Sequence, residues 1–178
     1  VYTVGLDLPD EEAVVRGAPG KHVTLVQPKH YVFPAVTRRS SLPPVVVGMG
    51  PAGLFAALFL ARNGLPCVVL ERGQDVDRRT ADVERFWSTG ELDPTSNVQF
   101  GEGGAGTFSD GKLNTGTKDL RHRFILEELV RCGATEEILY DAKPHVGTDY
   151  LHIALKNLRQ ELLTPVSYTH LRAHETDS

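Results

Sequence analysis

A chain of 178 residues is long enough for one full domain and a small second one. Its 40% hydrophobic and 24% charged residues are ordinary for a globular protein. A formal net charge of −4 argues against the basic surface that nucleic acids or anionic membranes attract. We therefore expect neither nucleic acid nor a membrane as a partner.

The cysteines and the most apolar stretch bear on cellular location. Cys67 and Cys132 lie outside any CxxC or metal-ligand spacing and have apolar neighbours, which predicts buried, reduced thiols. The apolar window 51–60 has about half of the roughly twenty residues that a membrane-spanning helix needs. A reducing, cytoplasmic location is expected. Since the first residue is Val1, we expect an upstream start or processing.

Residues 1–40 are predicted to form a small N-terminal α+β segment that ends in a polar linker. Alternating or short apolar runs at 1–6, 23–26 and 31–33 predict strands. Asp10 is placed to cap one or two helical turns.

Residues 41–163 have the pattern of an α/β domain. Val45–Val47 predicts a buried strand, 54–63 a helix followed by Gly64, and 66–70 a second buried strand. A strand, helix and strand within about thirty residues can close only as a right-handed parallel crossover. Further helices are predicted at 77–87, 119–132, 135–140 and 150–163. Between them, the glycine-rich stretch 92–116 is predicted to be a functional loop.

The last stretch, 164–178, loses this periodicity. It resembles a translated sequencing adaptor, so we expect it to be non-native and exclude it from the fold. His170 and His174 stand four residues apart, but without further ligands they do not predict a metal site.

A glycine motif lies between the first predicted strand and its helix. Gly48 permits a tight turn, Gly50 lets the backbone approach a pyrophosphate, and Gly53 allows close helix–sheet packing. Phosphates would sit at the helix N-terminus, where Pro51 suits an early position. The motif therefore predicts a dinucleotide site, made of Gly48, Gly50, Pro51, Ala52 and Gly53.

Glu71 follows the second strand about twenty residues after the turn, where a carboxylate binds ribose hydroxyls and repels the 2′-phosphate of NADP. The turn and Glu71-Arg72-Gly73 together resemble the FAD site of the two-dinucleotide-binding flavoprotein superfamily. Arg72 is accordingly included in the predicted cofactor site.

Long strings elsewhere extend the resemblance over residues 2–163. The strings at 29–34, 85–93 and above all 97–113 are similar to a family of uncharacterised bacterial FAD-dependent dehydrogenases, also described as NAD(FAD)-utilising. Membership of that family would imply a longer, Rossmann-like FAD/NAD(P)-binding protein. The resemblance leaves open which small-molecule substrate or electron acceptor the protein uses. Residues 41–163 would then be the incomplete N-terminal part of its FAD-binding domain, and NAD(P)H a possible reductant.

The glycine-rich segment adds further candidates for the cofactor site. Clustered glycines expose backbone N–H groups, and hydroxyl and ammonium groups beside them suit phosphate, ribityl or flavin oxygens. Lys112 would stabilise negative charge at a reduced flavin ring, with Asp110 orienting it. A solvent loop without a ligand is the alternative. The candidates are Gly103, Gly104, Thr107, Ser109 and Lys112.

Other charged groups predict less. The charged pair at 78–79 and the charged triplet at 121–123 are expected on solvated faces, and no catalytic residue or oligomeric state is assigned.

Two alternatives to an FAD-dependent oxidoreductase stay open. One is a flavin-binding sensor, or an assembly or RNA-modification factor, without its own turnover; the other is an inactive truncated fragment.

Overall fold

The computed structural model describes residues 4–18, 20, 22–27, 29–37, 41–113, 119–141 and 143–163. The chain divides into two compact units, Val1–His30 and Tyr31–Ser178. The predicted non-native tail, 164–178, lies outside the described residues, as do its two histidines.

The described residues of the first unit include a short helix, α1 (Glu11–Gly17). Asp10 caps it as predicted, because its side chain accepts a hydrogen bond of 2.9 Å from the Ala13 N–H. The described residues of this unit form no strand, so the strands predicted at 4–6 and 23–26 are wrong there. Short extended runs need a partner edge to become strands, and neither run has one among the described residues. The described part of the segment is helical and irregular rather than α+β.

The second unit begins with a parallel strand–helix–strand arrangement. Strand β1 (Val45–Val47) pairs with β2 (Val68–Leu70), with Val46 opposite Val69, and α2 (Pro51–Arg62) connects them. Helix α2 ends where Gly64 adopts a φ of +67° and donates to the Ala61 carbonyl. The predicted parallel crossover unit is confirmed, while a complete Rossmann fold stays a prediction.

Three further helices follow. Helix α3 (Val76–Thr89) is capped by Asp75 and ends at Gly90, whose φ is +79°. Helix α4 (Leu120–Arg131) is capped by Asp119, and α5 (Thr148–Leu163) closes the described chain. Single 3-10 turns lie at Ala105–Phe108 and Glu136–Leu139. No helix among the described residues combines the length and the apolar character that crossing a bilayer requires.

The core lies between α2, α4 and α5. Its largest buried contributors include Met49, Leu58, Ile138 and Leu158. At its margin, Arg62 of α2 binds Glu128 of α4 at 2.6 Å and Glu161 of α5 at 3.2 Å. Arg131 binds the same two carboxylates, so charge pairs fasten the three helices together at one end.

Two predictions around this core need correction. Val45 and Val47 are 57% and 81% exposed although a buried strand was predicted. Helix α2 packs against β1, and these two valine side chains stay largely exposed. Residues 31–33, predicted as a strand of the N-terminal segment, are not a strand. Phe33 instead packs edge-on against Phe59 and Phe124 in the second unit.

Candidate functional site

The glycine turn lies at the carboxyl end of β1. Gly48 has a φ of +89°, which glycine tolerates best, and its N–H donates to the Leu70 carbonyl at 2.7 Å. A Cβ atom at Gly53 would lie 1.9 Å from the Gly48 carbonyl oxygen and 3.4 Å from the Val46 side chain. The chain therefore turns sharply at Gly48, and α2 packs against β1 at a distance that a side chain would prevent.

The N-terminus of α2 presents open backbone donors. Gly50 occupies the N-cap position and Pro51 begins the helix, and no side chain in the described part of the chain caps it. The first bond inside the helix runs from the Leu54 N–H to the Gly50 carbonyl at 2.9 Å. Helix geometry thus leaves the N–H groups of Ala52 and Gly53 without an acceptor within the helix. Free N–H donors and the positive end of a helix dipole favour a negative charge.

Glu71 ties this turn to the segment after β2. The residue is 7% exposed, and its Oε2 accepts a hydrogen bond of 2.5 Å from the Met49 N–H. Its Oε1 accepts from the Gly73 N–H at 2.8 Å. Each carboxylate oxygen therefore binds a backbone N–H group, one in the glycine turn and the other just after β2. The adjacent Arg72 is exposed, with its guanidinium carbon 3.8 Å from the centroid of the Phe100 ring.

Two glycines of the glycine-rich loop, Gly103 and Gly104 (the second glycine pair), contact the turn. The Gly103 N–H donates to the Met49 carbonyl at 2.8 Å. A Cβ atom at Gly104 would lie 3.3 Å from the Gly50 Cα and 3.2 Å from the Pro51 Cδ. The structure thus brings together two sets of predicted residues, 48–53 and 103–104, which are fifty residues apart in sequence.

The other candidates of this loop bind groups within the loop itself. Thr107 is fully buried, and its hydroxyl donates to the Glu102 carbonyl at 3.3 Å. The Ser109 hydroxyl donates to the Gly106 carbonyl at 2.8 Å. Lys112 is exposed and pairs with Asp110 at 2.6 Å, which lowers the pKa of that carboxyl. Roles for these three residues at a cofactor remain predictions.

Arg79 is a central residue that the sequence reading missed. A solvated face was predicted for 78–79, but the structure confirms this only for Arg78, because Arg79 is fully buried. Its spacing from Val76 and Val83, three and four residues, is a helical signal for one buried face. Burial lowers the pKa of Arg79 to about 10, although Glu71 and Glu102 act to raise it.

Glu102 is a second charged residue in the interior. Its Oε2 accepts from the Val76 N–H at 2.7 Å and from the Arg159 guanidinium at 2.5 Å. Its Oε1 has no partner among the described residues. Burial raises the pKa of this carboxyl against the opposing Val76 and Arg159 interactions. The segment around Glu102 is rich in glycine, so it has no apolar pattern from which a buried carboxylate could be predicted.

The charged residues at the start of α4 lie outside this region. Arg121 and Arg123 are exposed and paired with Asp119 and Glu127, so the solvated face predicted there is confirmed for those two arginines. The described residues contain no group of three or more His, Cys, Asp or Glu side chains that could hold a metal ion.

Comparison with known proteins finds a family model that matches the region of this site. Residues 44–104 match a family described as an FAD binding domain, a range that begins before β1 and ends at the second glycine pair. The match supports an FAD-binding flavoprotein family, and the parallel strands with their helices are consistent with part of an α/β FAD-binding fold.

A relative extends this similarity. An uncharacterised protein of Clostridium beijerinckii is 61% identical over 119 residues, or 67% of this chain. The aligned stretch spans 22% of the length of that relative.

Proposed function

We propose that this chain binds the ADP part of FAD and belongs to an FAD-dependent oxidoreductase. The observation that carries the proposal is the uncapped N-terminus of α2, which opens at the carboxyl end of β1 inside the segment matching an FAD binding domain. Parallel sheets bind nucleotides at the carboxyl ends of their strands, where helix N-termini point at the ligand.

The pyrophosphate would bind between the two glycine segments. The N–H groups of Ala52 and Gly53 supply donors, and Gly50 leaves room because it has no side chain. Among the described residues beyond its chain neighbours, a Cβ atom at Gly50 would have the Gly104 Cα as its only neighbour within 4 Å, at 3.9 Å. The protein could therefore accommodate a methyl group there, whereas a ligand lying against the Gly50 backbone could not.

The ribose would bind at Glu71. A carboxylate offers about four lone-pair sites, and the Met49 and Gly73 N–H groups use two of them. The remaining sites can accept ribose hydroxyls, and the negative charge disfavours a 2′-phosphate. Arg72, beside it and stacked on Phe100, would face the adenosine side of the ligand.

FAD would supply hydride or electron transfer, and the protein would supply binding, orientation and electrostatics. Within that division, the described residues account for the nucleotide end of the cofactor. A small-molecule substrate or electron acceptor, reduction by NAD(P)H and a role for Lys112 are parts of the proposal that need the whole enzyme.

A titration of FAD into wild type and two glycine variants tests the nucleotide site. Gly50→Ala should leave the fold intact and weaken binding at least about tenfold, a loss of ~1.4 kcal/mol. Gly106→Ala is the matched control, because a Cβ atom there would meet nothing within 4 Å. Flavin fluorescence reports binding and circular dichroism reports folding. Equal affinity of Gly50→Ala and wild type, or no binding by wild type, would contradict the proposal.

Anaerobic addition of NADH or NADPH to the flavin-loaded full-length enzyme separates the functional classes. Bleaching of the flavin absorption supports an oxidoreductase that uses a nicotinamide reductant. A flavin that stays oxidised with every reductant and acceptor tried would favour a sensor or an assembly factor.

A further inference from the structure

The buried guanidinium of Arg79 binds one short stretch of backbone. Its Nε–H donates to the Asn97 carbonyl at 2.8 Å, one terminal nitrogen donates to the Glu102 carbonyl at 2.6 Å, and the other to the Val98 carbonyl at 2.9 Å. A guanidinium carries five N–H donors in a rigid planar fork, so three bonds at once fix the geometry of what it binds. Arg79 therefore holds both ends of the stretch 97–102.

The backbone of this stretch wraps closely around the arginine. Gly101 has a φ of +121°, and a Cβ atom there would lie 2.6 Å from the Arg79 Cδ and 3.0 Å from the Gln74 carbonyl oxygen. On its other side, a Cβ atom at Gly73 would lie 2.5 Å from the Gly101 Cα. The loop is thus confined between α3 and the residues that follow β2.

The clamped stretch leads directly into the candidate nucleotide site. Glu102, whose carbonyl Arg79 binds, precedes Gly103, whose N–H binds the Met49 carbonyl. Gly104 then faces Gly50 across the turn. A displacement of the Glu102 carbonyl would move the Gly103 N–H with it, because both groups belong to one planar peptide unit, and Gly104 is the next residue along the chain.

Helix packing alone does not require an arginine at this position. Burying a cation is costly unless it is fully hydrogen-bonded, and an apolar residue would fill the same face of α3 more cheaply. What an apolar residue cannot do is bind three carbonyl oxygens of an irregular loop. The Phe108 ring, 4.8 Å from the guanidinium carbon, covers the group further.

We infer that Arg79 is a positioning residue, which fixes residues 97–104 so that Gly103 and Gly104 form the second wall of the dinucleotide phosphate site. The inference rests on the proposed function, since it assigns that wall to an FAD pyrophosphate. Arg79 itself does not touch the ligand.

The test uses the full 178-residue chain with Arg79→Met, Arg79→Lys and Arg78→Met. Amide hydrogen exchange over 97–104 reports the loop, and the FAD dissociation constant reports the site. Arg79→Met should speed exchange in 97–104 and weaken FAD about tenfold or more, while β1 and β2 keep their protection. Arg79→Lys, which keeps the charge but loses the planar fork, should restore part of both effects. Arg78→Met, at a side chain 75% exposed, should behave as wild type.

Each outcome decides the inference. Unchanged exchange in a folded Arg79→Met chain overturns it, and so does faster exchange with unchanged FAD affinity. If Arg79→Met does not fold, Arg79→Lys and Gly101→Ala, which presses on the arginine from the loop side, are judged by the same two readouts. If wild type binds no FAD, the proposed function fails, and the exchange data still show whether Arg79 holds the loop.

Discussion

Replacing Glu71 with Gln should destabilise the turn strongly, although the two side chains have nearly the same size. Glutamine keeps the volume but exchanges one carboxylate oxygen for an NH₂ group and removes the charge. Because the two oxygens each accept a backbone N–H, from Met49 and Gly73, either orientation of the amide leaves one N–H facing another donor. The residue is 7% exposed, so water cannot easily replace the lost bond.

The expected cost follows from these two contacts. Losing a charge-assisted bond and leaving a buried donor unpaired costs about 2–3 kcal/mol, and the surviving bond weakens because its acceptor is neutral. We therefore expect the free energy of unfolding to fall by about 2–4 kcal/mol. Urea unfolding followed by circular dichroism at pH 7 measures this quantity.

Glu84→Gln is the matched control, because it makes the same chemical change at a residue on the exposed side of α3. It should alter the free energy of unfolding by no more than about 0.5 kcal/mol. A Glu71→Gln chain as stable as this control would refute the reasoning that Glu71 holds the turn. FAD affinity, measured on the same samples, should fall for Glu71→Gln alone.

Three further predictions concern the packing and the ionisable groups of the second unit. Gly53→Ala should destabilise the chain by about 2 kcal/mol or more, seen as a lower urea midpoint, because its methyl group would overlap the Gly48 carbonyl. Burial alone would raise the pKa of Glu128, but hydrogen bonds from its arginine partners lower it below the ordinary 4.5. A carboxyl group whose pKa is lowered in the folded state stabilises that state at pH values above its unfolded-state pKa. Glu128→Gln should therefore lower the free energy of unfolding by about 1–3 kcal/mol at pH 7. That difference should shrink as the pH of the unfolding experiment falls below 4.5 towards the folded-state pKa. Cys67 and Cys132 are 2% and 3% exposed, and burial raises the pKa of both thiols, so a thiol reagent should label them only after denaturant is added.

The local features of the fold could be predicted from the sequence because each depends on neighbouring residues. The N-caps Asp10 and Asp119, the glycine that ends α2 and the tight turn at Gly48 need only a few adjacent positions, and all are present. The buried state of both cysteines likewise follows from their apolar surroundings.

Features that depend on distant parts of the chain were harder to predict. Burial of Val45 and Val47 requires cover on both faces of the sheet, and composition does not report which face is covered. The proximity of Gly104 to Gly50 likewise depends on how a long loop folds back.

The burial of Arg79 shows a different limit. Its helical spacing from Val76 and Val83 placed it on the inner face, but arginine is rarely buried, and the carbonyls that bind it lie eighteen or more residues away. An expectation based on residue type alone therefore misses the burial of Arg79.

The contacts that build the site run almost entirely to main-chain atoms. Glu71 and Arg79 bind amide hydrogens and carbonyl oxygens, and Gly103 meets Met49 through the backbone. A main-chain atom is the same whatever side chain its residue bears. In a saturation mutagenesis of residues 71–104, an exposed position such as Gln99 should therefore accept most amino acids, and intolerance should concentrate at the glycines and at Glu71 and Arg79.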